Sequence, residues 1–206
     1  PTFADLYFVE DDWTKGNPDL KPEKSLSYDI GIGYELEDFL FLRETYFRND
    51  IRDMIQWSPI DITDPISKWM PSNLGRVATY GLESEIRIKA FNNLSGYINY
   101  TLLTAIDVDL NKDLIYRPKN KVNLGIEYKI FSQILKIDSE YYDIRLSGSE
   151  KIMPAFITTN LSLISNITDY LQLHFSIFNL ENTQYELRED FPMPGRAFNG
   201  GFTLKF

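Results

Sequence analysis

The chain has 206 residues, a formal net charge of −9, 43% hydrophobic and 15% aromatic residues, and no cysteine. The acidic balance, with no basic run, argues against nucleic acid as a partner, and the lack of cysteine excludes a disulfide framework or a thiolate metal site. No apolar run nears the roughly 20 residues of a membrane helix, which excludes a helical membrane protein but not a β-barrel, whose wall residues alternate.

Residues 1–25 read as the end of a strand followed by a loop, punctuated by Gly16, Pro18 and Pro22. A first strand follows at 26–37. Leu26, Tyr28, Ile30, Ile32, Tyr34 and Leu36 occupy its even positions, and Ser27, Asp29, Gly31, Gly33, Glu35 and Glu37 its odd ones. A period of two with one apolar and one polar face marks a strand lying between two different media. At about 3.3 Å per residue and a tilt near 45°, the run climbs about 25–30 Å, the height of an outer-membrane apolar band.

A second strand runs from Phe39 to about Ile55, with Phe39, Phe41 and Phe47 on one parity and Leu40, Leu42 and Tyr46 on the other. A β-bulge would reconcile the two sets. Residues 56–75 read as a long loop with Pro59, Pro65 and Pro71. The third strand sets Ala78, Tyr80, Leu82, Ile86 and Ile88 against Glu83, Glu85, Arg87 and Lys89, and Asn92–Asn93 is a tight turn. The fourth, Leu94–Thr104, sets Leu94, Ile98, Tyr100 and Leu102 against Ser95, Asn99 and Thr101. After a polar loop over 106–120, the fifth sets Val122, Leu124, Ile126 and Tyr128 against Asn123, Glu127 and Lys129.

Ser132–Gln133 turns the chain into a sixth strand, with Leu135, Ile137 and Tyr141 against Lys136, Asp138 and Glu140. A loop at 146–155 precedes the seventh, which carries Ile157, Leu161 and Leu163 on one face. A short turn at 166–169 leads to the eighth, with Leu171, Leu173, Phe175 and Ile177 against Gln172, His174 and Ser176. Residues 180–194 form a loop. The last strand sets Phe198, Phe202, Leu204 and Phe206 against Asn199, Thr203 and Lys205.

Short and long connections thus alternate, as in an antiparallel meander with one neat and one elaborated rim. Transmembrane barrels have this asymmetry, with apolar faces toward lipid and polar faces inward. Tyr28, Tyr34, Tyr80, Tyr128 and Tyr170 stand near strand ends and suit interfacial girdles. A soluble β-sandwich alternates in the same way, but strands this long exceed its usual 5–6 residues, and it gives no reason for long loops at one end.

No enzyme constellation emerges. His174 is the only histidine and sits on a polar strand face. Glu83 and Glu85 share a face with Arg87 and Lys89, which reads as a solvated ladder rather than an acid–base pair. Asp107, Asp109 and Asp113 offer oxygen ligands but lack the spacing and closing Glu of an EF-hand, so no metal and no cofactor are expected. The candidate recognition residues are the aromatic and cationic side chains of the long loops: Trp57, Trp69, Tyr116, Arg117, Tyr185 and Arg188.

PTFADLYF at 1–8 with GNPDLKPEKS at 16–25, FRNDIRDMI at 47–55 with YGLESEI at 80–86, IFNLENTQYE at 177–186, and PGRAFNGGFTLKF at 194–206 together resemble the late barrel of TonB-dependent outer-membrane receptors. The resemblance covers essentially the whole chain. It implies all-β architecture: about nine long strands forming the C-terminal portion of a 22-stranded transmembrane barrel, with residues 1–206 as one barrel segment. It further implies a longer receptor, because nine strands leave unpaired edges that lipid does not tolerate, and the family's plug and TonB box have no counterpart here. The expected function is uptake of a scarce nutrient, vitamin B12 or a ferric siderophore, across the outer membrane of a Gram-negative bacterium. Expected partners are outer-membrane lipid, the TonB complex through the plug, the barrel-assembly machinery, which would read Phe202, Leu204 and Phe206, and the small-molecule nutrient. A smaller porin-like barrel or a soluble β-sandwich binding module is the alternative.

Overall fold

The computed structural model describes residues 1–64 and 66–206; Pro65, one of the prolines expected in the 56–75 loop, lies outside the described residues. Nine long strands pair in sequence order: β1 (Lys24–Leu36), β2 (Leu40–Arg52), β3 (Arg76–Phe91), β4 (Leu94–Asp107), β5 (Asn120–Ile130), β6 (Gln133–Tyr142), β7 (Phe156–Asn166), β8 (Leu171–Phe178) and β9 (Ala197–Leu204). All pairings between them are antiparallel. The sheet is an open meander in which β1 and β9 each pair on one side only.

Register joins the alternating sets into two continuous faces, because directly opposed residues point the same way. One apolar row runs Ile126, Ile137, Leu161, Ile177, Phe198 across five strands. Another runs Tyr34, Leu42, Ile86, Ile98, Leu124. The polar face carries ion pairs such as Glu85–Arg87 at 2.9 Å and Glu127 between Lys129 and Lys136 at 3.1 and 2.8 Å. Most large apolar side chains of the other face are exposed, Ile30 to 72% and Phe202 to 66%. Exposed apolar area on that scale marks an interface with lipid or protein rather than with water.

Four expectations need correction. Residues 3–7 form a helical turn, α1 (Phe3–Tyr7), rather than the end of a strand, because Thr2 and Asp5 make a capping box. Residues 56–75 are not an irregular loop: Ile55–Pro59 pairs with Trp69–Asn73 as a hairpin. The second strand needs no bulge. Its register runs unbroken from Leu36↔Leu40 to Lys24↔Arg52, putting Leu40, Leu42, Glu44, Tyr46, Arg48 and Asp50 on the apolar face. Phe41 and Phe47 point to the polar face. There Arg87 stacks 4.2 Å over the Phe41 ring, and Gly81 leaves room for Phe47. The last strand also stops at Leu204, so Phe206 follows the pairing rather than joining it.

The short connections lie at 37–39, 92–93, 131–132 and 167–170, and the long ones at 53–75, 108–119, 143–155 and 179–196. A small core of Val77, Ala105 and Leu114, flanked by Ile51 and Leu103, sits at the long-connection rim.

Candidate functional site

The long connections lean on one another rather than standing free. α1 is tied to the 55–73 hairpin by Trp57, whose Nε1 donates to Asp5 Oδ1 at 2.9 Å, with Phe8 edge-on to the indole. Hydrogen bonds from the Thr2 amide and hydroxyl and from Trp57 hold the Asp5 carboxyl below its ordinary range. The GNPDLKPEKS segment lies along the same hairpin. Asn17 Nδ2 donates to Pro71 O at 3.0 Å, and Lys21 N donates to Asn73 Oδ1 at 2.8 Å.

Residues 143–155 form the hub. Their paired ends are Arg145–Leu146 and Ile152–Met153. The Trp69 ring lies on Gly148, where a Cβ would collide with it. Tyr116 N donates to Leu146 O at 2.7 Å. Lys112 pairs with Glu150 at 3.2 Å, and Lys151 with Glu189 at 2.9 Å. Burial opposes ionisation of Glu189, but hydrogen bonds from Lys151, Ser147 and Ser149 prevail and hold its carboxyl below the ordinary range. Three neighbouring connections thus converge on one hairpin.

Beneath the hub, Tyr142, Phe156 and Tyr185 form an aromatic stack with centroid separations of 5.1 and 4.4 Å. Arg145, only 6% exposed, lies against Tyr142 and Phe156 and donates to the carbonyls of Pro154 and Glu186. Burial pushes its guanidinium below the usual arginine range, yet an arginine stays charged in proteins. Lys121 reaches over Tyr142 at 4.6 Å and pairs with Glu140 at 3.3 Å. A buried cation packed against stacked aromatics is a rigid mount for the exposed edges around it.

The sequence-derived candidates separate accordingly. Trp57 and Trp69 pack loops. Tyr116 and Arg188 are brought together, the guanidinium 5.4 Å from the ring centroid. Tyr185 belongs to the stack, and Arg117 is exposed, its side chain donating to the Tyr116 carbonyl. Arg145, Tyr142 and Phe156 escaped sequence reasoning: none of the three belongs to the alternating sets or to the aromatic and cationic loop candidates.

The three loop aspartates are otherwise engaged. Asp107 accepts from the Asp109 and Leu110 amides, Asp109 is held by Arg76 at 2.7 Å, and Asp113 pairs with Lys119 at 3.0 Å. Among the described residues no cluster of three metal-ligating side chains occurs. His174 lies across Gly201 on the polar face.

A profile of the family described as "TonB dependent receptor-like, beta-barrel" matches residues 1–180. The chain is 29% identical over 212 residues to the vitamin B12 transporter BtuB of Photobacterium profundum, covering 100% of this chain and 33% of that protein. It is 22% identical to the iron-regulated outer membrane virulence protein of Vibrio cholerae, covering 93% and 32%. Among solved structures, the copper transporter OprC superposes with a TM-score of 0.80 at 16% identity, covering 100% and 36%. The ferric enterobactin receptor PfeA of Pseudomonas aeruginosa gives 0.71 at 20%, covering 94% and 33%. The chain therefore spans about a third of the length of these relatives.

Proposed function

This chain belongs to the TonB-dependent receptor β-barrel family of the Gram-negative outer membrane, and from that premise we propose that it supplies wall, conduit and part of the binding rim for active import of a corrinoid such as vitamin B12 or of a ferric siderophore. The apolar face then meets lipid, the polar face lines the conduit, and the long connections lie outside the cell. The observation that carries the reading is the convergence of the long connections on residues 143–155 above an aromatic and cationic stack. Such a rigid mount presents Tyr116, Arg117, Tyr185 and Arg188 to a large ligand with both apolar and anionic surface. Rigid aromatic and arginine anchors carry most of the energy in interfaces of that kind.

Energy for import would come from TonB acting on a plug domain elsewhere in the receptor, and insertion would depend on the barrel-assembly machinery. The corrinoid is the first ligand to test, since the B12-transporter relative aligns over the whole chain. The full-length receptor would be expressed in cells stripped of their own corrinoid and siderophore receptors. Uptake of labelled cyanocobalamin or ferric enterobactin, abolished when TonB is removed, is expected. Uptake of neither, with the receptor present in the outer membrane, would overturn the proposal.

A further inference from the structure

Sequence alone shows no basic patch, yet register assembles one. Lys24 on β1 stands directly opposite Arg52 on β2, and Arg52 directly opposite Arg76 on β3. All three are exposed, on the apolar face, at the long-connection rim. Adjacent strands are about 4.8 Å apart, so three cations share a span of about 10 Å. Like charges directly opposite one another in a sheet are destabilising. The row is therefore costly in a chain with 30 acidic and 21 basic residues, unless anions from outside compensate it.

Internal compensation is partial. Arg76 is neutralised by Asp109 at 2.7 Å. Arg48, four residues below Arg52 along β2, is held by a two-pronged pair with Asp50, both contacts at 2.9 Å, and lies 5.6 Å over the Tyr80 ring. Lys24 and Arg52 have no ion pair among the described residues. A cleft lined by Lys24, Leu26, Arg48, Asp50, Arg52 and Arg76 opens at this spot, the Asp50 carboxylate being taken up by Arg48. Below it the face turns aromatic and then aliphatic: Tyr28, Arg48 and Tyr80 in one row, Ile30, Tyr46 and Leu82 in the next. Tyrosines mark the level where acyl chains give way to headgroups, so the cations stand at headgroup height. The outward rim of β6 and β7, Tyr141 opposite Ile157, carries no such charge.

We propose that Lys24, Arg52 and Arg76, with Arg48 beneath, form a docking site for the phosphorylated headgroup of an outer-leaflet lipid, lipopolysaccharide in a Gram-negative envelope. Acyl chains lie along Ile30 and Leu82, below the tyrosine row, while the phosphates meet the unpaired Lys24 and Arg52. The two pre-paired arginines frame the site and keep the row from acting as a general anion sink. This inference rests on the outward placement of the apolar face and on external long connections.

The test uses the purified full-length receptor in detergent, with native mass spectrometry reading how much added lipid stays bound. The probes are diphosphoryl lipid A, its dephosphorylated form, and inorganic phosphate. Each basic residue near an anionic lipid surface contributes about a fivefold factor, so K24Q with R52Q should lower lipid A retention on the order of 25-fold. R43Q, on the polar face, should leave it unchanged. Dephosphorylated lipid should bind the wild type no better than lipid A binds the double variant, and inorganic phosphate should leave no stable adduct. Equal loss from R43Q, or an inorganic phosphate adduct as stable as the lipid's, would overturn the site. Labelling of I30C by a lipid-phase maleimide reports the face assignment separately. If I30C is not labelled while G33C is, the face assignment falls. If I30C is labelled and the double variant retains lipid A fully, only the docking site falls.

Discussion

Single residues explain why the segments shared with the receptor family look as they do. Asn179, in the NLENTQYE stretch, is 4% exposed with φ of 52°. Its side chain donates to Thr183 O and Pro194 O and accepts from Thr183 N, closing the loop after β8. An apolar residue there would strand those groups and resist the left-handed backbone. Gly148 is needed because the Trp69 ring lies where its side chain would be. Gly148→Val should cost about 1–3 kcal/mol by overpacking and free the 143–155 hub, seen as faster protease nicking there and a changed tryptophan emission. Asp5 supplies a pH-sensitive tether. Its folded value lies below the ordinary carboxylate value of about 3.9, so the tether's contribution is complete above that value and is lost as pH falls through the lowered one. Trp57 emission should therefore shift at a pH below about 3.9, and Asp5→Asn should abolish that shift. A shift that persists in the variant would assign it to another group.

Elements show where alternation is informative and where it misleads. In β1 and β5 the parity is unambiguous, whereas in β2 Phe41 and Phe47, on the polar face, counterfeit a second apolar one. Their accommodation depends on Arg87 and Gly81, more than thirty positions downstream, so no local window reveals it. The faces themselves are testable. Arg replacing Ile30, Ile86, Leu124 or Phe175 should cost about 2–4 kcal/mol in the intact receptor. Arg at Asn123, directly opposite Asn99 and Glu140 on the polar face, should cost much less. Equal damage from both sets, measured as urea stability of the folded receptor in lipid, would reverse the assignment.

At the scale of the molecule, the two rims have different work. The short-connection rim joins neighbouring strands through turns of two to four residues. The long-connection rim gathers segments distant in sequence onto residues 143–155, so the loops should move as a unit. Cysteines at Ile62, Leu110 and Phe191, which are 47, 66 and 70% exposed, should all react with an impermeant maleimide on intact cells. Reaction only after the periplasm is opened would invert the topology. Phe202 and Leu204 pair into the wall opposite Leu173 and Leu171, while Phe206 lies beyond the pairing. An assembly signal predicts that deleting Phe206 sharply lowers outer-membrane levels of the full receptor while refolding into detergent hardly changes. Equal loss in both would make its role merely structural.

Except for the facing of β2, the order, direction and alternation of the long strands were legible in the amino-acid sequence, because a strand with one apolar and one polar face alternates at every residue and writes that pattern locally. The GNPDLKPEKS and NLENTQYE segments were likewise legible as those of receptor barrels, but by likeness to the family rather than by a local rule, since Asn17, Lys21 and Asn179 find their partners at Pro71, Asn73 and Pro194. What the tertiary structure alone decided was everything built across strands. Trp57 and Trp69 became loop staples, Arg145 became a buried mount, and Lys24, Arg52 and Arg76 became a row. These outcomes depend on register and on contacts between residues tens of positions apart. Sequence periodicity carries no information about such contacts, because it fixes which way a side chain points but not what it meets.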